Sequence, residues 1–303
     1  MDLALYTTVH PGTRPFLKEW YESVRAQTDS QFDLWIGIDD LAVDEARAAM
    51  EARPEANWMR AEPEDAPAQV RERAWRALIP HADAVVMVDA DDVMRPRRVE
   101  HARQQISECD IGACALQLVD EEGKEIDCVM PPSKHETPEG ILPRHNIFGL
   151  SNTIYRTQVL AESLPVPKDT ALIDWYLATQ AWLKGSILSV DQTVLMEYRQ
   201  HDDSTLSLLP PYTKEDVRRT TQAVQRHFSA VTRNLPSDPN SDRLSVFLNA
   251  REEVHQFQKR ILPDDERLEK YISALNRCPP LPLWWGCVAR PELSHLWNNQ
   301  ITQ

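Results

Sequence analysis

Four short apolar runs separated by helix-spaced segments fill the first hundred residues, and this alternation constrains the fold more than any other feature of the chain. The runs are LALYTTV, FDLWIGID, the weaker NWMRAE, and AVVMVDA. Between the first two, RPFLKEWYESVRAQT spaces Phe16, Leu17, Trp20 and Val24 along one helix face, and PAQVRERAWRALIPH does the same with Val70, Ala74, Ala77 and Leu78. Parallel strands need crossover connections, so alternation of this kind predicts an α/β fold with a parallel sheet covered on both faces. Ligands of such sheets collect at the carboxyl ends of the strands. Asp39 and Asp40 end the second run and Asp89, Asp91 and Asp92 end the fourth, so both clusters are expected at one crevice.

The middle of the chain departs from simple alternation. DIGACALQLVDEEGKEIDCVM predicts two strands joined at EEGK, with Gly123 available for a positive φ. FGLSNTIYR predicts a strand, RTQVLAESL a short helix, and SILSVDQTVLMEYR a further strand. ALIDWYLATQAWLKG predicts a helix with Leu172, Tyr176, Leu177 and Ala181 on one face and Gly185 as its stop. From about residue 212 the pattern is helical, with stripes through Val217, Val224, Phe228, Val231 and Leu235, through Phe247, Ala250, Val254, Phe257 and Ile261, and through Leu268, Tyr271, Ile272 and Leu275. These stripes are expected to pack on the preceding domain or on a second subunit. Trp284 and Trp285 close the chain's apolar pattern, for packing on the core or contact with a membrane interface.

A net charge of −14 with no concentrated basic segment excludes a nonspecific nucleic-acid binder. Five cysteines without paired CxxC spacing fit free thiols in a reducing cytoplasm. MDLALYTTVHPG lacks the basic start and apolar run of a secretion signal, and nothing reaches the roughly 18 apolar residues of a membrane span.

Carboxylates crowded at a strand end repel one another and lose hydration, so a cation or a set of donors must offset them. A hard divalent ion with oxygen ligands, Mn2+ or Mg2+, meets that need and completes its shell with ligand phosphates. Capping of the following turn is the alternative, since Asp is an ordinary turn residue.

At these residues the sequence resembles the GT-A glycosyltransferases of the family 2 type, over roughly residues 3 to 206. Their DxD or DxDD signature is matched by Asp89, Ala90, Asp91 and Asp92, and their helix arginine, 16 residues before the first aspartate, by Arg73, with Ala74 where they carry Asn. The nucleotide-cradling loop is matched by Thr7, Thr8, Val9 and His10, and the acidic pair contacting base or ribose by Asp39 and Asp40. The family's Glu-Asp, followed 11 residues later by Gly, is matched by Asp174 and Gly185, with Ile173 in place of Glu. YRQHDDS resembles the Tyr-Arg-x-His segment, which places Arg199 and His201 at the diphosphate.

The resemblance implies a GT-A mixed sheet flanked by helices: a catalytic domain over 1–210, with a nucleotide-binding half (1–110) and an acceptor-binding half (111–210), and a helical C-terminal extension (211–303). It implies an inverting, metal-dependent transfer from a nucleotide-diphosphate sugar, UDP- or GDP-linked, to a saccharide or lipid-linked acceptor. Asp89, Asp91, Asp92 and His201 would hold the metal, Asp174 would be general base, and Ser151, Asn152 and Trp175 would border the acceptor. Cell-surface polysaccharide synthesis is the implied setting, in the cytoplasm or at the inner membrane face, with a homodimer permitted by the tail helices. The competing reading is a noncatalytic nucleotide-sugar-binding or scaffolding protein on a degenerate GT-A fold; a third is a metal-dependent phosphohydrolase or nucleotidyltransferase using the same crevice.

Overall fold

The computed structural model describes residues 1–131, 137–200 and 208–298. Its strands are β1 (Leu3–Val9), β2 (Asp33–Ile38), β3 (Asn57–Arg60), β4 (Ala84–Met87), β5 (Val93–Met94), β6 (Ile111–Val119), β7 (Glu125–Met130), β8 (Thr153–Arg156) and β9 (Leu188–Arg199). Its helices are α1 (Leu17–Arg25), α2 (Val43–Ala49), α3 (Pro67–Leu78), α4 (Arg98–Gln105), α5 (Pro138–Ile141), α6 (Thr157–Glu162), α7 (Ile173–Leu183), α8 (Lys214–Arg233), α9 (Ser241–Ile261) and α10 (Asp265–Leu275).

The expected parallel sheet is present: β3, β2, β1 and β4 lie side by side in that order, all parallel. β8 then pairs antiparallel with both β4 and β6, and β9 runs parallel to β6. The sheet is therefore mixed, and the order continues β8-β6-β9-β5. β9 occupies one edge of β6 along its whole length, so β8 and β7 share the other edge, at Ile111–Ala113 and Leu116–Val119 respectively. The β6–β7 turn places Gly123 at φ +82°, and α7 ends at Gly185 with φ +101°, the left-handed geometry both positions were expected to need.

Two sequence expectations change on folding. Of FGLSNTIYR, only Thr153–Arg156 is strand; Gly149–Asn152 form a buried turn whose Asn152 amide donates to the carbonyls of Cys114 and Ile147. Helix α7 has no single apolar face, because every residue from Trp175 to Leu183 is buried. The reason is the tail. Helices α8, α9 and α10 pack on the same chain's core, through Phe228 at 5.9 Å from Trp175 and 5.2 Å from Phe247 (ring centroids). Their starts are set locally: Thr213 and Asp216 form a capping box at α8, Asn240 caps α9 and Asp264 caps α10. Among the described residues no helix is long and apolar enough to cross a membrane.

Phe228 is fully buried where α7, α8 and α9 meet. Phe228→Ala is expected to lower unfolding free energy by about 3–5 kcal/mol, from lost transfer energy plus the cavity left behind. Urea unfolding checks this; a loss under about 1 kcal/mol would mean that the tail does not depend on that contact.

Candidate active site

The carboxyl ends of β1, β2 and β4 place His10, Asp39 and Asp89 at one edge of the sheet, as parallel strands in register must. The peptide N–H of Asp39 continues the β1–β2 pairing by donating to the Val9 carbonyl (2.9 Å). His10 begins a 3-10 turn, its Nδ1 accepting from the Gly12 N–H at 3.2 Å. Partial burial and the nearby Arg71 charge lower its pKa, while Asp91 and Asp39 oppose that. Thr7 and Thr8 are buried, with the Thr8 hydroxyl 2.8 Å from the Tyr6 hydroxyl, and Val9 is fully buried, so at this loop it is His10 that is exposed.

A cavity of about 420 Å³ opens beside this edge. It is lined by Arg71 from α3, Asp89, Lys168, Asp174 at the first turn of α7, Tyr198 at the end of β9, and Trp284 and Trp285. Asp174 Oδ1 accepts the Trp175 N–H (2.8 Å), and Oδ2 accepts the Asn146 side-chain amide (2.7 Å). Burial pushes its carboxyl up to about 6, with the Asp89 charge adding to the rise and Arg71 opposing it. Asp89 is likewise raised to about 6, by burial first and then by Asp91.

The three signature aspartates are not equivalent. Asp92 is buried, and loss of hydration with two like charges nearby holds its pKa well above the usual carboxylate range. Its oxygens are already engaged: one accepts the Arg199 peptide N–H (2.8 Å) and the other accepts the Ser151 hydroxyl. Ser151 also accepts the Asp89 N–H (3.2 Å) and lies 3.2 Å from Asp89 Oδ2. Asp89 lines the cavity, and Asp91 is close enough to raise it. Among the described residues no group of three or more His, Cys, Asp or Glu is arranged to hold a metal ion. Asp89 and Asp91 carry the carboxylate oxygens a hard divalent ion prefers, but two carboxylates fill only part of such an ion's shell.

Several residues expected at the site are elsewhere. Arg73 is bound by Asp65 (3.0 Å) and Glu62 (2.9 Å) and lines a neighbouring hollow, whereas Arg71 reaches the cavity. Trp175 is fully buried, stacked on His227 at 3.9 Å, with its Nε1–H given to the Leu142 carbonyl, so it offers no face to an acceptor. Ser151 and Asn152 are buried braces. The Arg199 guanidinium is consumed by Glu19 (2.5 Å) and the carbonyls of Asp91 (2.9 Å) and Glu121 (2.7 Å), and lies 5.0 Å over the Phe16 ring. It braces the aspartate loop and leaves little for a diphosphate. Ala90 is buried, Asp40 is exposed at φ +48°, and His201 lies outside the described residues. The sequence reading missed Arg71, Asn146, Lys168 and Tyr198; Trp284 and Trp285 were noticed as an aromatic pair with no period to place them.

No protein-family model and no curated protein matches the chain. Solved structures do. Residues 1–349 of TarS from S. aureus align over 91% of this chain and 79% of that one, at 16% identity and TM-score 0.58. The same TarS fragment in complex with UDP-GlcNAc aligns over 98% and 89%, at 15% identity and TM-score 0.54. The mannosyltransferase PcManGT from Pyrobaculum calidifontis, in complex with GDP-Man and Mn2+, aligns over 92% and 76%, at 15% identity and TM-score 0.57. The mixed sheet flanked by helices is the GT-A fold.

Arg199→Ala removes a charged pair, two carbonyl contacts and a ring contact at once, and is expected to lower stability by about 2–3 kcal/mol, read by urea unfolding. Asp174 gives a second expectation through its pKa. A carboxyl raised from 3.8 to about 6 in the folded state binds more protons there than when unfolded, so its contribution to stability declines as pH rises between those values. The stability of Asp174→Asn relative to the parent should therefore increase from pH 4 to pH 7; a constant difference in urea midpoints would contradict the raised pKa.

Proposed function

We propose that this chain is a glycosyltransferase that moves a sugar from a nucleotide-diphosphate donor to an acceptor hydroxyl with inversion. The observation that carries the reading is one cavity holding a strand-end carboxylate, Asp89, and a helix-start carboxylate, Asp174, each titrating near 6, on a GT-A fold. One group faces the leaving diphosphate and the other the incoming hydroxyl.

Asp89 and Asp91 would hold Mn2+ or Mg2+, which when bound supplies positive charge for the departing diphosphate. Arg71, which lines the same cavity, would add donors to those phosphates. His10 and Asp39, at the carboxyl ends of β1 and β2, would contact the nucleoside. Asp174, ionised above pH about 6, would accept the acceptor's proton while that oxygen bonds to the anomeric carbon. The carbon–phosphate-oxygen bond breaks on the opposite face, the nucleoside diphosphate leaves, and one displacement inverts the centre. Asn146 fixes the Asp174 rotamer through its 2.7 Å bond. The structural neighbours bound to UDP-GlcNAc and to GDP-Man support UDP and GDP as the first nucleotides to test.

Thermal stabilisation by UDP or GDP with Mn2+, lost in Asp91→Ala, is the expected result, because a ligand that binds only the native state stabilises it. Asp174→Asn should keep that stabilisation while turnover falls by about 10²–10⁴-fold, and parent turnover should decline below pH about 6. Stabilisation by neither nucleotide would sink the donor assignment, and full turnover in Asp174→Asn would sink the base. Nucleotide binding with no transfer to any acceptor would instead favour the noncatalytic reading.

A further inference from the structure

We infer that the hollow between α3 and the segment 165–168 is a second ligand site, which takes an anion, a carboxylate or phosphate monoester, carried on an apolar body. The inference does not rest on the glycosyltransferase reading, because the hollow is separate from the cavity that Asp89 and Asp174 line.

The hollow measures about 480 Å³, within the range of small-molecule pockets. One wall is the run Pro165, Val166, Pro167 and Lys168; the other is the face of α3 that carries Gln69, Glu72, Arg73 and Arg76, at helical spacing i, i+3, i+4 and i+7. Proline has no N–H to donate, and the Val166 N–H is spent on Glu72 Oε2 (2.8 Å). The first three residues of that run therefore present hydrocarbon and no free backbone donor. Arginine stems from α3 face them across the space.

The polar side-chain groups left for a ligand are donors. Asp65, which also lines the hollow, accepts the Glu62 N–H (2.9 Å) and Arg73 Nε (3.1 Å). Glu72 Oε1 accepts Arg76 Nε (2.8 Å), and Gln69 Oε1 accepts the Ala66 N–H (3.1 Å). Both carboxylates are thus committed, and their side chains are only 9% (Asp65) and 15% (Glu72) exposed. The cations differ. Arg76 is 55% exposed, and Lys168 is exposed and pairs with no carboxylate among the described residues. The Gln69 amide nitrogen has no partner among those residues either. A ligand meets apolar surface with donors and positive charge at its edge, which an anion on an apolar body matches and a cation does not. The pairs Asp65–Arg73 and Glu72–Val166 fix the walls in advance, which lowers the ordering cost of binding.

The test uses the full chain, with octyl phosphate and octanoate as probes below their micelle concentrations. Octyl glucoside supplies the apolar body without charge, and inorganic phosphate the charge without the body. Phosphatidylcholine vesicles with and without phosphatidic acid separate a lipid headgroup from a free anion. Affinities are read by ligand-detected NMR titration, and vesicle binding by cosedimentation, for the parent, Lys168→Glu, Gln69→Trp, which fills the hollow, and Lys259→Glu, the same charge change on exposed α9. Thermal unfolding of each variant checks that it is folded. At least one octyl anion is expected to bind tenfold or more tighter than octyl glucoside and inorganic phosphate, and to weaken tenfold or more in Lys168→Glu and Gln69→Trp but not in Lys259→Glu. Binding of an octyl anion alone upholds the site with a soluble ligand; added binding to phosphatidic-acid vesicles, lost in Lys168→Glu, upholds it with a lipid. Equal binding of octyl glucoside, no binding of either octyl anion, or parent affinity in folded Lys168→Glu and Gln69→Trp overturns the inference.

Discussion

One buried carboxylate holds the site together. Asp92 is buried in the loop after β4, and its two oxygens are spent on the β9 backbone at Arg199 and on the hydroxyl of Ser151. A charge placed there is tolerable only because donors surround it. The consequence is geometric: three segments far apart in sequence, the aspartate loop, the 149–152 turn and the end of β9, are fixed to one point. Arg199 extends the same lock by reaching around the loop to Asp91, Glu121 and Glu19. Asp89 lines the cavity because its neighbours hold it there.

That arrangement divides labour among residues of the same type. A run of aspartates reads as a uniform negative patch, yet burial and partners give each a different state. Asp92 is spent on structure, while Asp89, facing the cavity, has its affinity for a proton raised by burial and then by the charge of Asp91. Asp174 reaches a similar affinity mainly by burial. Both carboxyls line one cavity, and burial is the first cause of the rise in each.

Much of the fold was legible because it depends on local pattern. The four parallel strands, the β6–β7 turn at Gly123 and the α7 stop at Gly185 all follow from periodicity and backbone freedom. The start of α7 near Asp174, which lines the cavity, was legible from the same helical pattern. Arg71 was missed in favour of Arg73 because residues two apart on a helix differ by about 200°, and only the packing of α3 decides which faces the cavity. Trp175 was misread for a related reason: the tail helices bury all sides of α7, and nothing within α7 announces a covering layer contributed by residues after 213. Arg199 looked like a phosphate ligand because its partners, Glu19 and two backbone carbonyls, are invisible to motif reading. Trp284 and Trp285 lie in a segment without period, so only the folded chain could show which surface they meet.

The position of that indole pair along the chain gives the site an order of assembly. During synthesis the sheet, the aspartate loop and α7 are all made before Trp284, and domains fold broadly as they emerge. A nascent chain would hold the crevice at the carboxyl ends of the parallel strands while one wall of its cavity was still missing. The cavity beside Asp174 is then closed only when Trp284, made after most of the chain, docks against Gly149 and Asn146.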